Sequence, residues 1–171
     1  QNIPPNPDLA IANGRAFCEA LLDPLEETFG RVAVRSGYRS PELNTFGNEH
    51  KLNVREMIAA GVPYLGQGAE QEAIAGASVV IPWFTDQYEK GRDWRDLAYF
   101  LHDHLPYSEL WFFPKLCAFN ISWRPEPWRM ISSYIAPRGT FLKRGEEPEE
   151  SLSERQRRYA DFPTFRGLIL S

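Results

Sequence analysis

The stretch VRSGYRSPELN, residues 34–44, places Arg35 and Arg39 on either side of a Ser-Gly-Tyr turn. A guanidinium can hold a carboxylate through two parallel hydrogen bonds, and a turn between rigid elements can aim it into a cleft. It can equally pair with a nearby Asp or Glu and fix the turn. His50, His102 and His104 are the only histidines, a thin supply for a zinc site that needs three or four converging ligands. His102 and His104 stand two apart on an expected helix and project about 200° from each other, so they cannot face one metal. They read as helix-end histidines that favour the C-terminal dipole. Asp103 with Glu109, or Glu70 with Glu72, could be imagined as acid/base pairs, but solvated faces explain them as well. No GxSxG elbow, glycine-rich phosphate loop or HExxH occurs.

The elements that would position these residues follow from periodicity. Asp8 to Phe29 repeats Leu9, Ala16, Phe17, Ala20, Leu21, Leu25 and Phe29 as an amphipathic helix, with Pro24 marking a kink or break and Gly30 the end. Val32 and Val34 alternate with arginines as a short strand, and Ser40-Pro41 fits a helix start, which sets Arg39 at a strand-to-helix turn. ASVVIPWF reads as a buried strand ending at Pro82. Asp93 caps a helix whose Trp94, Leu97, Ala98, Leu101 and Leu105 form one apolar stripe, and Pro106 stops it. ELWFF, CAFNISW and WRMISSYI then read as strands. The order is α+β: a small antiparallel sheet flanked by helices, in a domain over residues 1–137. Residues 138–171 read as a polar linker with a terminal helix capped by Ser151 or Ser153, and an apolar end that could dock on a protein partner.

With 171 residues, 43% of them apolar, the chain can bury a core without staples. A net charge of −4 gives no overall pull toward nucleic acid or an anionic membrane, and no apolar run is long enough to span a bilayer. No leader pattern opens the sequence; a soluble chain is expected, and its location stays open, with the cytoplasm and a particle as the two options. Cys18 on a helix and Cys117 on a strand read first as buried thiols, with their pairing open.

The order of these elements, from about Asn6 to Ile135, resembles the zinc D-alanyl-D-alanine carboxypeptidase-like peptidases of the Hedgehog/DD-peptidase fold. SGYRSPELN looks like that family's Y-R-S turn, and the resemblance implies substrate binding by Arg39 with Tyr38 and Ser40. LPYSELWFF and AFNISW look like its late strands, where the family has a W-x-H-[IV]-S segment. The family's S-x-H-x-x-G-x-A-x-D motif falls on residues 69–78 and its late histidine on Asn120. Gln71, Ser78 and Asn120 therefore stand at the ligand positions, and Phe112, Phe113 or Pro114 where a catalytic glutamate is expected. Neutral side chains of this kind are poor zinc ligands. The resemblance thus implies a fold without its usual metal centre. Such a domain would bind a peptidoglycan stem peptide or serve assembly, as in a phage particle, with no cofactor. The alternative is a zinc carboxypeptidase or peptidoglycan endopeptidase with a rearranged site drawing on His50, Glu70 and Glu72.

Overall fold

A computed structural model describes residues 7–36 and 75–167. The first stretch is one helical rod: α1 (Pro7–Phe17), a π-helical turn (Cys18–Leu22) and α2 (Asp23–Phe29). Pro24 sits in the first turn of α2, where its missing N–H costs little, and Gly30 ends the rod at a φ of 78°. β1 (Ala33–Ser36) follows, then β2 (Ala75–Val80), α3 (Pro82–Glu89), α4 (Trp94–His104), β3 (Glu109–Phe112), β4 (Phe119–Trp123), β5 (Met130–Ser133), β6 (Gly139–Leu142) and α5 (Leu152–Arg158).

The strands form a six-stranded sheet in the order β1-β2-β4-β3-β5-β6. The expected antiparallel sheet is corrected in one place: β5 runs parallel to β3. The cause is the short connection after β4. It carries Pro125 and Pro127 around the start of β3, where Ser108 Oγ accepts from Trp128 N–H and the Ser108 carbonyl accepts from Met130 N–H. The chain enters β5 from the end at which β3 began, so the two strands run the same way. Helix and sheet together make an α+β architecture with a six-stranded mixed sheet.

Alternation decides which face is core. Ala77, Ile121, Leu110, Ile131 and Leu142 lie opposite one another along one row, and Val79, Phe119 and Phe112 along the next. All eight are buried in the main hydrophobic cluster. Helix α4 lies against this face, the Trp94 ring 5.0 Å from Phe112. Asp93 caps α4 as expected, its carboxylate accepting from Arg95 N–H at 2.9 Å.

The chain past Pro137, expected as a linker, opens instead with β6, which extends the sheet. Residues 143–150 are largely exposed. Ser151 then caps α5 in a capping box with Glu154. This tail packs on its own domain. Arg155 donates to Asp103 at 2.7 Å, Tyr159 Oη to the same carboxylate at 2.8 Å, and Arg92 grips Asp161 through two nitrogens. Tyr159 and Phe162 enter the core beside Phe100, and Phe165 packs against it. Leu168, Ile169 and Leu170 lie outside the described residues. Cys18 is exposed, against expectation, because it falls on the outer side of the π turn. Cys117 is buried as expected, though in the turn before β4 rather than on the strand, and burial pushes its thiol up to about 12.

The Arg155–Asp103 pair is almost wholly out of water, and removal of one member leaves a buried charge. Arg155→Ala is expected to cost about 3 kcal/mol in urea unfolding, whereas Arg157→Ala on the exposed side of α5 should change stability by about 0.5 kcal/mol or less. Equal effects of the two substitutions would show that the tail does not hold the domain in this way.

Candidate functional site

The sheet face opposite the core is built from the alternate residues of the same strands. Between Ala77 and Val79 stands Ser78; between Phe119 and Ile121, Asn120; between Leu110 and Phe112, Trp111; after Ile131, Ser132. The register places these four side by side across the four central strands, Ser78 opposite Asn120, Asn120 opposite Trp111, Trp111 opposite Ser132. Since paired residues point to the same face, the result is one polar row. One step along the strands runs a second row, Gly76, Ser122, Glu109 and Met130. A side chain at Gly76 would meet the Ile121 carbonyl at 2.6 Å, so glycine lets β2 and β4 lie close here.

Two atoms of the first row set it apart. Asn120 is only 5% exposed, and its Nδ2 is buried with no acceptor among the described residues. Trp111, its partner residue on the neighbouring strand, likewise has its Nε1 buried with no acceptor among the described residues. The indole packs against Tyr134 at 5.4 Å between ring centres. In the second row Ser122 Oγ accepts from Glu109 N–H at 3.1 Å. The Glu109 carboxyl lies 3.6 Å from Arg124; burial raises its pKa and the guanidinium draws it back down. Arg124 in turn stacks 3.6 Å over Trp128, with Arg144 at 5.0 Å from the same ring.

Of the residues singled out in the sequence, Ser78 and Asn120 are brought together as cross-strand neighbours. Tyr38, Arg39, Ser40, His50, Glu70, Gln71 and Glu72 lie outside the described residues, and Arg35 is exposed on β1. Asp103 and Glu109 form no acid/base pair: Asp103 is committed to Arg155 and Tyr159 on α5, and Glu109 to Arg124 on the sheet. Trp111 and Ser132 were missed, although the alternation of ELWF and MISS with core residues signals their face. Among the described residues, no three His, Cys, Asp or Glu side chains are placed to hold a metal ion. A serine hydroxyl beside a carboxamide that presents a buried N–H does not fit zinc at Ser78 and Asn120. The row carries two buried N–H donors, flanked by serine hydroxyls that can donate or accept.

The histidines correct one expectation. His102 is buried with Nδ1 2.6 Å from the Tyr107 hydroxyl, and burial, with the nearby Arg129 charge, lowers its pKa to about 4. It therefore stays neutral and brings no charge to the end of α4. Arg129 supplies the cation instead, donating to the carbonyls of Leu105 and His102 while lying 4.6 Å over the Tyr107 ring. His104 donates through Nδ1 to the Phe100 carbonyl at 2.8 Å. A cavity of about 370 Å³ opens here, lined by His104, Leu105, Pro106, Pro127, Arg129 and Phe165 among others. No residue of the polar row belongs to it. The charged groups of its lining, Arg129 and Asp103, are already engaged with the protein.

Comparison with family models, curated proteins and solved structures found no match for this chain.

Neutral His102 carries a pH dependence with a definite sign. The unfolded chain takes up a proton on this imidazole below about pH 6.5 and the folded chain only near pH 4, so its contribution to stability is complete above 6.5 and lost as the pH falls toward 4. Between about pH 7 and about pH 5 the loss is about 2 kcal/mol, and it should vanish in His102→Gln. A His102 imidazole resonance titrating near 6.5 in the folded protein would contradict this assignment.

Proposed function

We propose that this chain is a DD-peptidase-like domain that binds a peptide terminus, such as that of a peptidoglycan stem peptide, without cleaving it. What carries the reading is the pairing of Ser78 with Asn120. The two positions that the resemblance aligns with metal ligands come from separate segments, yet they lie opposite one another on adjacent strands. Positions that hold one metal ion in that family would have to meet in this way. Their present chemistry is a hydroxyl and a carboxamide, suited to holding an oxygen acceptor rather than to activating water. Arg39 would supply the charged contact to a carboxylate, with Tyr38 and Ser40 beside it. The order of elements supports the same architecture: a helical rod, a central strand, an amphipathic helix stopped at Leu105-Pro106, then the β3–β4 hairpin. No metal is needed in this role.

Calorimetric titration with a stem peptide ending in D-Ala-D-Ala checks the proposal. Saturable binding at unit stoichiometry is expected, weakened about tenfold or more by Arg39→Ala, in line with the loss of a charge-assisted hydrogen bond. The peptide should be recovered uncleaved. Release of D-alanine by protein that carries zinc at one equivalent would establish the metallopeptidase reading in its place, and absence of any binding heat would remove the peptide-binding one.

A further inference from the structure

Trp111 lies in LPYSELWFF, which the resemblance matches as a late strand without giving this residue a role, yet its position adds most to Asn120. Each contributes a buried N–H with no acceptor among the described residues, and the two residues are paired directly across β3 and β4. An unsatisfied buried donor costs about 1–3 kcal/mol, so two side by side are a standing penalty that an acceptor would relieve. Directly opposed residues of an antiparallel pair have Cβ atoms about 5 Å apart, within which two planar side chains can address one small group. We infer that Asn120 Nδ2 and Trp111 Nε1 form a two-donor site for the unprotonated oxygen of a carboxylate or amide carbonyl.

The chemistry of the pair is selective. An indole N–H donates and has no lone pair to offer, so a cation, an ammonium group or a hydroxyl acting as donor gains nothing from it. Ser78 on one side and Ser132 on the other extend the row with hydroxyls, which suits a ligand carrying further polar atoms along the sheet. Ser78 and Trp111 keep part of their surface exposed although both donor atoms are buried, so a ligand oxygen would have to reach the donors by way of these two residues. Glu109, the carboxylate nearest along β3, is held 3.6 Å from Arg124, and that pairing offsets the repulsion an incoming anion would meet. The inference uses the same face as the peptide-binding reading but does not need the stem peptide to be its ligand.

The test uses the full chain labelled with ¹⁵N. Its five tryptophans give five indole N–H resonances, and Trp111 is assigned by its loss in Trp111→Phe. Sodium acetate, N-acetyl-D-alanyl-D-alanine and the C-terminal amide of the same dipeptide are titrated separately. A saturable downfield shift of the Trp111 indole together with the Asn120 side-chain amide is expected. Response to acetate and the acid assigns a carboxylate, and response to the dipeptide amide assigns a carbonyl. Asn120→Leu should weaken the response at least tenfold without lowering the thermal midpoint, because it removes a buried donor rather than a made bond. If acetate shifts Trp111 while the stem peptide gives no heat, the two-donor site stands and the stem-peptide reading fails. Stem-peptide binding with both resonances unmoved overturns the two-donor site and leaves that reading intact. No shift with any of the three probes, or a fall in the midpoint of Asn120→Leu of the size a lost buried hydrogen bond gives, also overturns it.

Discussion

The structure depends on one constraint: the register of β2, β4, β3 and β5, which are paired so that every residue two apart falls on the same face. A slip of one residue in any of these strands would turn Ile121, Leu110 or Ile131 out of the core and Asn120, Trp111 or Ser132 into it. The apolar face therefore fixes the polar one. Burial of Val79, Phe119 and Phe112 in the core, Phe112 against Trp94 of α4, sets the polar row by the same pairing. A site made this way would sit on the four central strands of the sheet. The pairing of Trp111 with Asn120 is set by the strands themselves, and in the proposed role such preorganisation lowers the ordering cost of binding.

The other described elements protect that register. Helix α4 is anchored at its start by the Asp93 cap and at its end by Arg129, which reaches back from the β4–β5 connection to the last carbonyls. The same connection sets the parallel entry of β5. The turn between β3 and β4 is held from α3, where Thr85 Oγ1 donates to the Leu116 carbonyl and Tyr88 Oη to that of Pro114. The tail closes the far side through Arg155, Arg158 and Arg92, whose acidic partners Asp103, Asp96 and Asp161 are shared between α4 and the C-terminal segment. Three aromatic rings of that segment fill the space beside Phe100.

Local signals of the fold were legible in the sequence. The cap at Asp93, the stop at Pro106, the apolar stripe of α4 and the four strand segments after Gly76 all follow from neighbours within a few residues. Long-range facts were not. Nothing in MISSYI says that β5 lies beside β3 rather than β4, because that depends on where a short proline-bearing connection crosses. β6 was hidden by its brevity and by the polar residues after it. His102 read as a helix-end cation because its burial depends on Tyr107 and Arg129, which come from later in the chain. The candidate site was half legible: Ser78 and Asn120 came from the resemblance, but Trp111 required the register, since an apolar-looking aromatic in ELWFF gives no hint that its N–H lies buried beside an amide.

The most direct measurement is a crystal structure of the chain grown with N-acetyl-D-alanyl-D-alanine. The account predicts a ligand oxygen on the polar sheet face, within about 3 Å of both Asn120 Nδ2 and Trp111 Nε1. A ligand seated instead in the cavity at the end of α4, between Pro106 and Phe165, with both donors still unpaired, would contradict it.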